Sequence, residues 1–151
     1  MKRSLTILAV AAFLGLSFAV SPAASTDAQG AGCIKISRVY FDSPGSDTGS
    51  NTSLNAEWIQ LRNGCASGKS LNGWTVRDTS SHVYRFDAYT LRAGGYVKIH
   101  TGNGADTAGH RYWDADGYVW NNSGDTAKLK NAAGTLKDRC QFSGAGSSAA
   151  C

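Results

Sequence analysis

The stretch EWIQLRN (Glu57–Asn63) decides the reading of the chain. Ile59 and Leu61 share one parity, and Trp58, Gln60 and Arg62 share the other. That two-residue period is the signature of a strand with one face in a core and the other in solvent. Upstream, IKISRVYFD (Ile34–Asp42) carries Ile34 and Ile36 on one parity and Val39 and Phe41 on the other. The phase change near Ser37 and Arg38 predicts a bulge. If these two strands pair antiparallel, the start of the first faces the end of the second. Cys33 then lies beside Cys65, within reach of a disulfide.

Downstream, LNGWTVRD (Leu71–Asp78) places Leu71, Trp74 and Val76 in the core, and HVYRFD (His82–Asp87) sets Tyr84 and Phe86 on one face. Thr90–Gly95 ends in a turn, and YVKIHT (Tyr96–Thr101) directs Val97 and Ile99 inward. Tyr118–Asn121 reads as a short strand, and DTAKLKN (Asp125–Asn131) and TLKDRCQF (Thr135–Phe142) as a hairpin across Ala132, Ala133 and Gly134. Ser43–Asn55 and Gly102–Ala108 read as loops, being rich in Gly, Asn, Asp, Ser and Thr. No window repeats its apolar residues every 3.6 positions over three turns. Seven or eight short strands separated by turn signals predict an all-β fold, a β-sandwich.

The chain has 151 residues, 42% hydrophobic and 17% charged, which suits one globular domain and excludes a disordered polyelectrolyte. Lys2 and Arg3, an apolar run from Leu5 to Val20 and small residues at Ser21, Ala23, Ala24 and Ser25 form an export signal. The expected division is a signal peptide over 1–25, cut between 23 and 28, then a linker over 26–32. The domain follows over 33–142, and a Gly/Ser/Ala-rich tail over 143–151. Removing Lys2 and Arg3 from the 15 basic residues leaves 13 against 11 acidic ones, a net charge of +2. So small a charge gives little general drive toward nucleic acid or anionic lipid. Cys33, Cys65, Cys140 and Cys151 are even in number and lack C-x-x-C spacing. In an exported chain they favour disulfides over zinc, Cys33 with Cys65 and Cys140 with Cys151.

The elements NAEWIQLRN, LNGWTVRD, HVYRF, TLRAGGYVKIHTG, YVWNNSGDTAKLKN and AAGTLKDRC occur in this order between about Ile34 and Phe142. As a set they resemble the lamin-tail domain family, and most of all its small exported bacterial members. The resemblance implies an immunoglobulin-like fold, with roles in protein tethering and proposed nucleic-acid contact. No heptads precede the domain, so no filament role is implied.

Chemistry is sparse. His82, His100 and His110 with nearby Ser and Asp residues compose a hydrolytic triad only on paper. Gly68-Lys69-Ser70-Leu71-Asn72-Gly73 has one residue too many for a nucleophile elbow. Asp42, Asp47, Asn51 and Asn55, and separately Asp114 and Asp116, supply oxygens for calcium but lack EF-hand spacing. His100, His110 and Asp106 form a weaker zinc set. Gly102-Asn103-Gly104 lacks the third glycine and the helix of a phosphate loop. Asn121, Asn122 and Gly124 are suited to turns with positive φ. Asp125 is suited to accepting backbone N–H groups, and Glu57, on the core parity of Ile59, needs a partner such as Arg77 or a loop N–H.

Aromatic side chains that alternation turns outward, beside cations, form the candidate binding surface: Trp58, Arg62, Tyr96, Lys98 and Trp113. No catalytic residue, metal or cofactor is expected. The expected function is a secreted, non-catalytic binding or adhesion module for an unknown extracellular protein or polymer. The alternatives are a nucleic-acid- or polysaccharide-binding protein and, more remotely, a small secreted hydrolase.

Overall fold

The computed structural model describes residues 32–151; the expected export signal and nearly all of the expected linker fall outside the described residues. Strand β1 (Ile34–Tyr40) is followed by α1 (Asn51–Ala56), β2 (Trp58–Asn63), β3 (Lys69–Ser70), β4 (Thr75–Arg77) and β5 (Val83–Arg85). Then come β6 (Thr90–Leu91), β7 (Tyr96–His100), β8 (His110–Tyr112), β9 (Gly124–Lys130), β10 (Leu136–Ser143) and β11 (Ser148–Ala150). The first sheet has the order β11-β1-β2-β7-β8, the second β10-β9-β4-β5, and a small ribbon pairs β3 with β6. The all-β sandwich is as expected, with 11 strands in place of seven or eight.

The two sheets close on one core, as facing sheets do. Ile34, Ile36, Val39, Phe41, Ile59, Leu61, Val97 and Ile99 come from the first sheet, and Val76, Ala127, Leu129 and Phe142 from the second. Trp74 and Trp120 are buried there as their sequence context suggested. The bulge sits where the phase changes: the register of β1 on β2 shifts between Ile36 and Arg38. It lets both apolar parities of β1 face inward.

Both predicted disulfides form. Ile34 pairs with Asn63, so Cys33 and Cys65 meet with Cα atoms 5.2 Å apart. Cys140 and Cys151 lie 5.5 Å apart and tie the second sheet to the first. The Gly/Ser/Ala-rich tail contributes β11, which pairs antiparallel with Arg38–Tyr40.

Four readings of local structure need correction. Ser43–Asn55 is not all loop: Ser50 caps the six-residue helix α1, accepting from Ser53 N at 3.3 Å. Its single buried apolar residue, Leu54, is too little to give a helical period. Within Leu71–Asp78 only Thr75–Arg77 is strand, because Leu71 to Trp74 closes a turn through the Trp74 N to Leu71 O bond. Tyr118–Asn121 is not a strand, because the N–H groups of Val119 and Trp120 go to the Glu57 carboxylate instead of a ladder. Among Asn121, Asn122 and Gly124 only Gly124 has positive φ, at 122°. Asn121 instead accepts from Ser123 through its side chain, and Asn122 donates to Asp42 and Asp47.

Candidate functional site

Alternation places four of the five predicted surface residues on one face. On the first sheet the register aligns Tyr40 with Trp58, Trp58 with His100, and His100 with Tyr112. Side chains paired in register point to the same face of a sheet, about 5 Å apart. These four rings therefore cross four strands in one row. Tyr40 and Trp58 stack at 5.6 Å between centroids, and His100 and Tyr112 at 5.2 Å. The adjacent row carries Arg38, Gln60, Lys98 and His110, and the next Lys35, Arg62 and Tyr96.

Cations cover the rings. Lys98 Nζ sits 3.8 Å from the Trp58 ring centroid, and the Arg62 guanidinium 5.7 Å from that of Tyr96. Tyr96 is 47% exposed, whereas Trp58 is half-buried between Tyr40 and Lys98. No outward position of β1, β2, β7 or β8 carries a carboxylate. Trp113 lies elsewhere: it packs against the core, edge-on to Trp120 at 5.9 Å and tilted on Tyr84 at 5.8 Å. The predicted surface set leaves out Tyr40, His100 and Tyr112, although alternation already turns Tyr112 and His100 away from the core. Tyr40 follows the bulge, which reverses parity, and Tyr112 belongs to the unrecognised strand β8.

His100 has a fixed tautomer. Its Nδ1 lies 2.7 Å from the carbonyl oxygen of Asn55, which can only accept, so Nδ1 carries the proton. Nε2 then accepts from His110 Nδ1 at 2.8 Å. Burial holds the His100 pKa below 6.5, with His110 and Lys98 adding to the effect and the Asn55 bond opposing it.

Glu57 is completely buried. Its Oε1 accepts from Thr101 Oγ1, from Val119 N at 2.9 Å and from Trp120 N at 3.2 Å, and Arg77 is not a partner. Oε2 has none among the described residues. Desolvation raises its pKa to about 7 against these three bonds. The carboxyl thus ties β2 to the segment leading into β9.

The hydrolytic and metal combinations are dispersed. His82 Nδ1 contacts the buried Asp78 carboxylate at 2.6 Å, and among the described residues no hydroxyl is bonded to the ring. Asp42 and Asp47 both accept from Asn122, while Asn51 and Asn55 donate to Asn103 O. Asp106 pairs with Arg111 at 2.7 Å, away from the two histidines. Among the described residues no three His, Cys, Asp or Glu side chains converge on one point. Asp125 accepts from Thr79 and Thr126, as expected of a strand-opening acid. Among the described residues no helix is long and apolar enough to cross a membrane.

A search of curated proteins gave no match. The sequence model of the Lamin Tail Domain family matches residues 27–144, most of the chain. The matched residues cover both sheets of the immunoglobulin-like sandwich up to β10, and the chain belongs to the lamin tail domain family.

Proposed function

We propose that the protein is an exported, non-catalytic adhesion module that holds an extracellular polymer or protein on the outer face of its five-stranded sheet. The row Tyr40–Trp58–His100–Tyr112, bordered by Lys98 and Arg62, carries this reading. Rings in a row on a rigid sheet offer apolar area at little entropic cost, and the neighbouring cations add polar contacts. Export is supported by the N-terminal sequence and by two disulfides, which persist in oxidising compartments.

The test is capture from pools of cell-wall polymer, secreted protein and nucleic acid by the disulfide-intact protein, followed by titration of the captured ligand. Trp58→Ala and Lys98→Gln should each weaken binding at least tenfold while the fold is retained. Unchanged affinity in both variants would remove this face from consideration. The nucleic-acid reading is supported by the same rings, since bases stack on aromatic platforms. It predicts that single-stranded oligonucleotides compete for the face and bind less tightly as salt rises.

A further inference from the structure

The opposite face of the sandwich has a different chemistry. In the second sheet Val76, Ala127, Leu129, Cys140 and Phe142 point into the core. The alternate positions face out. Register aligns Val83 with Arg77, Arg77 with Lys128, and Lys128 with Arg139. The neighbouring row holds Arg85, Thr75 and Lys130. Five cations thus share one sheet face.

Among the described residues none of the five forms an ion pair with a carboxylate. The ion pairs among the described residues are Lys35–Asp138, His82–Asp78 and Arg111–Asp106. Asp125 points inward, and Asp138 turns to β1, where it accepts from Ile36 N and meets Lys35. Like charges side by side repel, so a row of unpaired cations on neighbouring strands costs stability unless an anion covers it. The chain carries only a small net charge, so this concentration is local.

The face also has a seat. A depression of about 190 Å³ lies at its edge; its lining includes Arg77, Ser80, Ser81, His82, Lys128 and Lys130, together with the Asp78 carboxylate. Among the described residues the backbone N–H and hydroxyl groups of Ser80 and Ser81 have no partner. Asp78, with 1% of its side chain exposed, binds His82 Nδ1 and the His82 backbone N–H. This fixes the ring on the wall of the depression and leaves Nε2 as its free hydrogen-bonding atom. Hydroxyls, backbone N–H groups and guanidinium forks are the donor set for a tetrahedral oxyanion. No aromatic side chain points outward from these four strands, so the face offers no platform for a base.

We propose that this second face binds a linear phosphate polymer. The depression at Ser80–His82 seats one phosphate, and the row Arg77–Lys128–Arg139 carries the chain across the strands. The inference concerns the sheet opposite the aromatic row and does not depend on that row's function.

The test uses the disulfide-intact protein and inorganic polyphosphate, titrated by calorimetry at several salt concentrations. Saturable binding is expected, weakening as salt rises. Arg139→Gln, an exposed change, and Lys128→Gln/Arg139→Gln should weaken it progressively, the double variant by about tenfold or more, with a shallower salt slope. His82→Asn with Ser80→Ala should weaken it too, whereas Trp58→Ala on the opposite face should not. Near-ultraviolet circular dichroism establishes that each variant is folded. The proposal is overturned if polyphosphate fails to saturate at physiological salt or if the folded charge variants bind it as tightly as the parent. Tighter binding of a single-stranded oligonucleotide or an anionic vesicle through the same residues would also overturn it.

Discussion

Glu57→Gln tests the energetics of the sandwich most directly. A pKa raised from 4.5 to about 7 corresponds to a penalty on the order of 3 kcal/mol for the ionised side chain in the fold. The direction follows from linkage. Between these two values the folded protein holds a proton that the unfolded chain has released. Glu57 therefore lowers stability as pH rises from 4.5 to 7, and its effect is constant above and below that window. Glutamine keeps the oxygen that accepts from Thr101, Val119 and Trp120, and puts an amide where Oε2 has no partner. The variant should be equal to the parent or up to about 2 kcal/mol weaker near pH 4, since its unpaired amide resembles the protonated acid. Near pH 8 that difference should have moved by about 3 kcal/mol in the variant's favour, roughly 10 °C in Tm for a domain of this size. Urea or thermal unfolding of both proteins, followed by the fluorescence of the adjacent Trp120, measures the difference at each pH. Subtracting variant from parent removes contributions common to both. A difference that stays constant between pH 4 and 8 refutes the reasoning.

Three further outcomes follow from the geometry. Cys151→Ser should cost about 2–3 kcal/mol, given the 11-residue separation of its bridge to Cys140; hydrogen exchange should accelerate at Ser148–Ala150 and leave the β1–β2 pairing protected. Gly124→Ala should destabilise by several kcal/mol, because φ is 122° and the added Cβ would lie 2.8 Å from the Phe142 carbonyl oxygen; an unchanged urea midpoint would refute this. The His100 imidazole should titrate below 6.5 by NMR, so its contribution to stability is present above 6.5 and is lost as pH falls through the depressed folded value; titration at or above 6.5 would contradict the Asn55–His100–His110 arrangement.

The strands that were legible in sequence are those with their own alternation. Glu57–Asn63, Tyr96–Thr101 and the hairpin over Asp125–Phe142 place Ile59, Leu61, Val97, Ile99, Ala127 and Leu129 where the period does. The phase change at Ser37 was readable as a bulge because two apolar parities cannot share one face without an extra residue. β8 and β11 carry no such signal. His110–Tyr112 becomes a strand by pairing parallel with β7, and Ser148–Ala150 by completing the edge of β1.

The candidate faces divide in the same way. Trp58, Arg62, Tyr96 and Lys98 were predicted by parity within single strands, and the fold brings them together. Trp113 follows no alternating pattern and was placed by packing against Trp120. The cationic face was invisible in sequence, because Arg77, Lys128 and Arg139 are far apart in the chain and meet only through strand order.

The sequence by itself determined the alternating strands, the bulge, the cysteine partners and the family, because each rests on a short-range period or an ordered set of local elements. Tertiary structure alone decided the order of strands in each sheet, and with it the alignment of four rings on one face and the crowding of cations on the other. The reason is that register joins residues distant in the chain, and no local pattern states which strands will lie side by side.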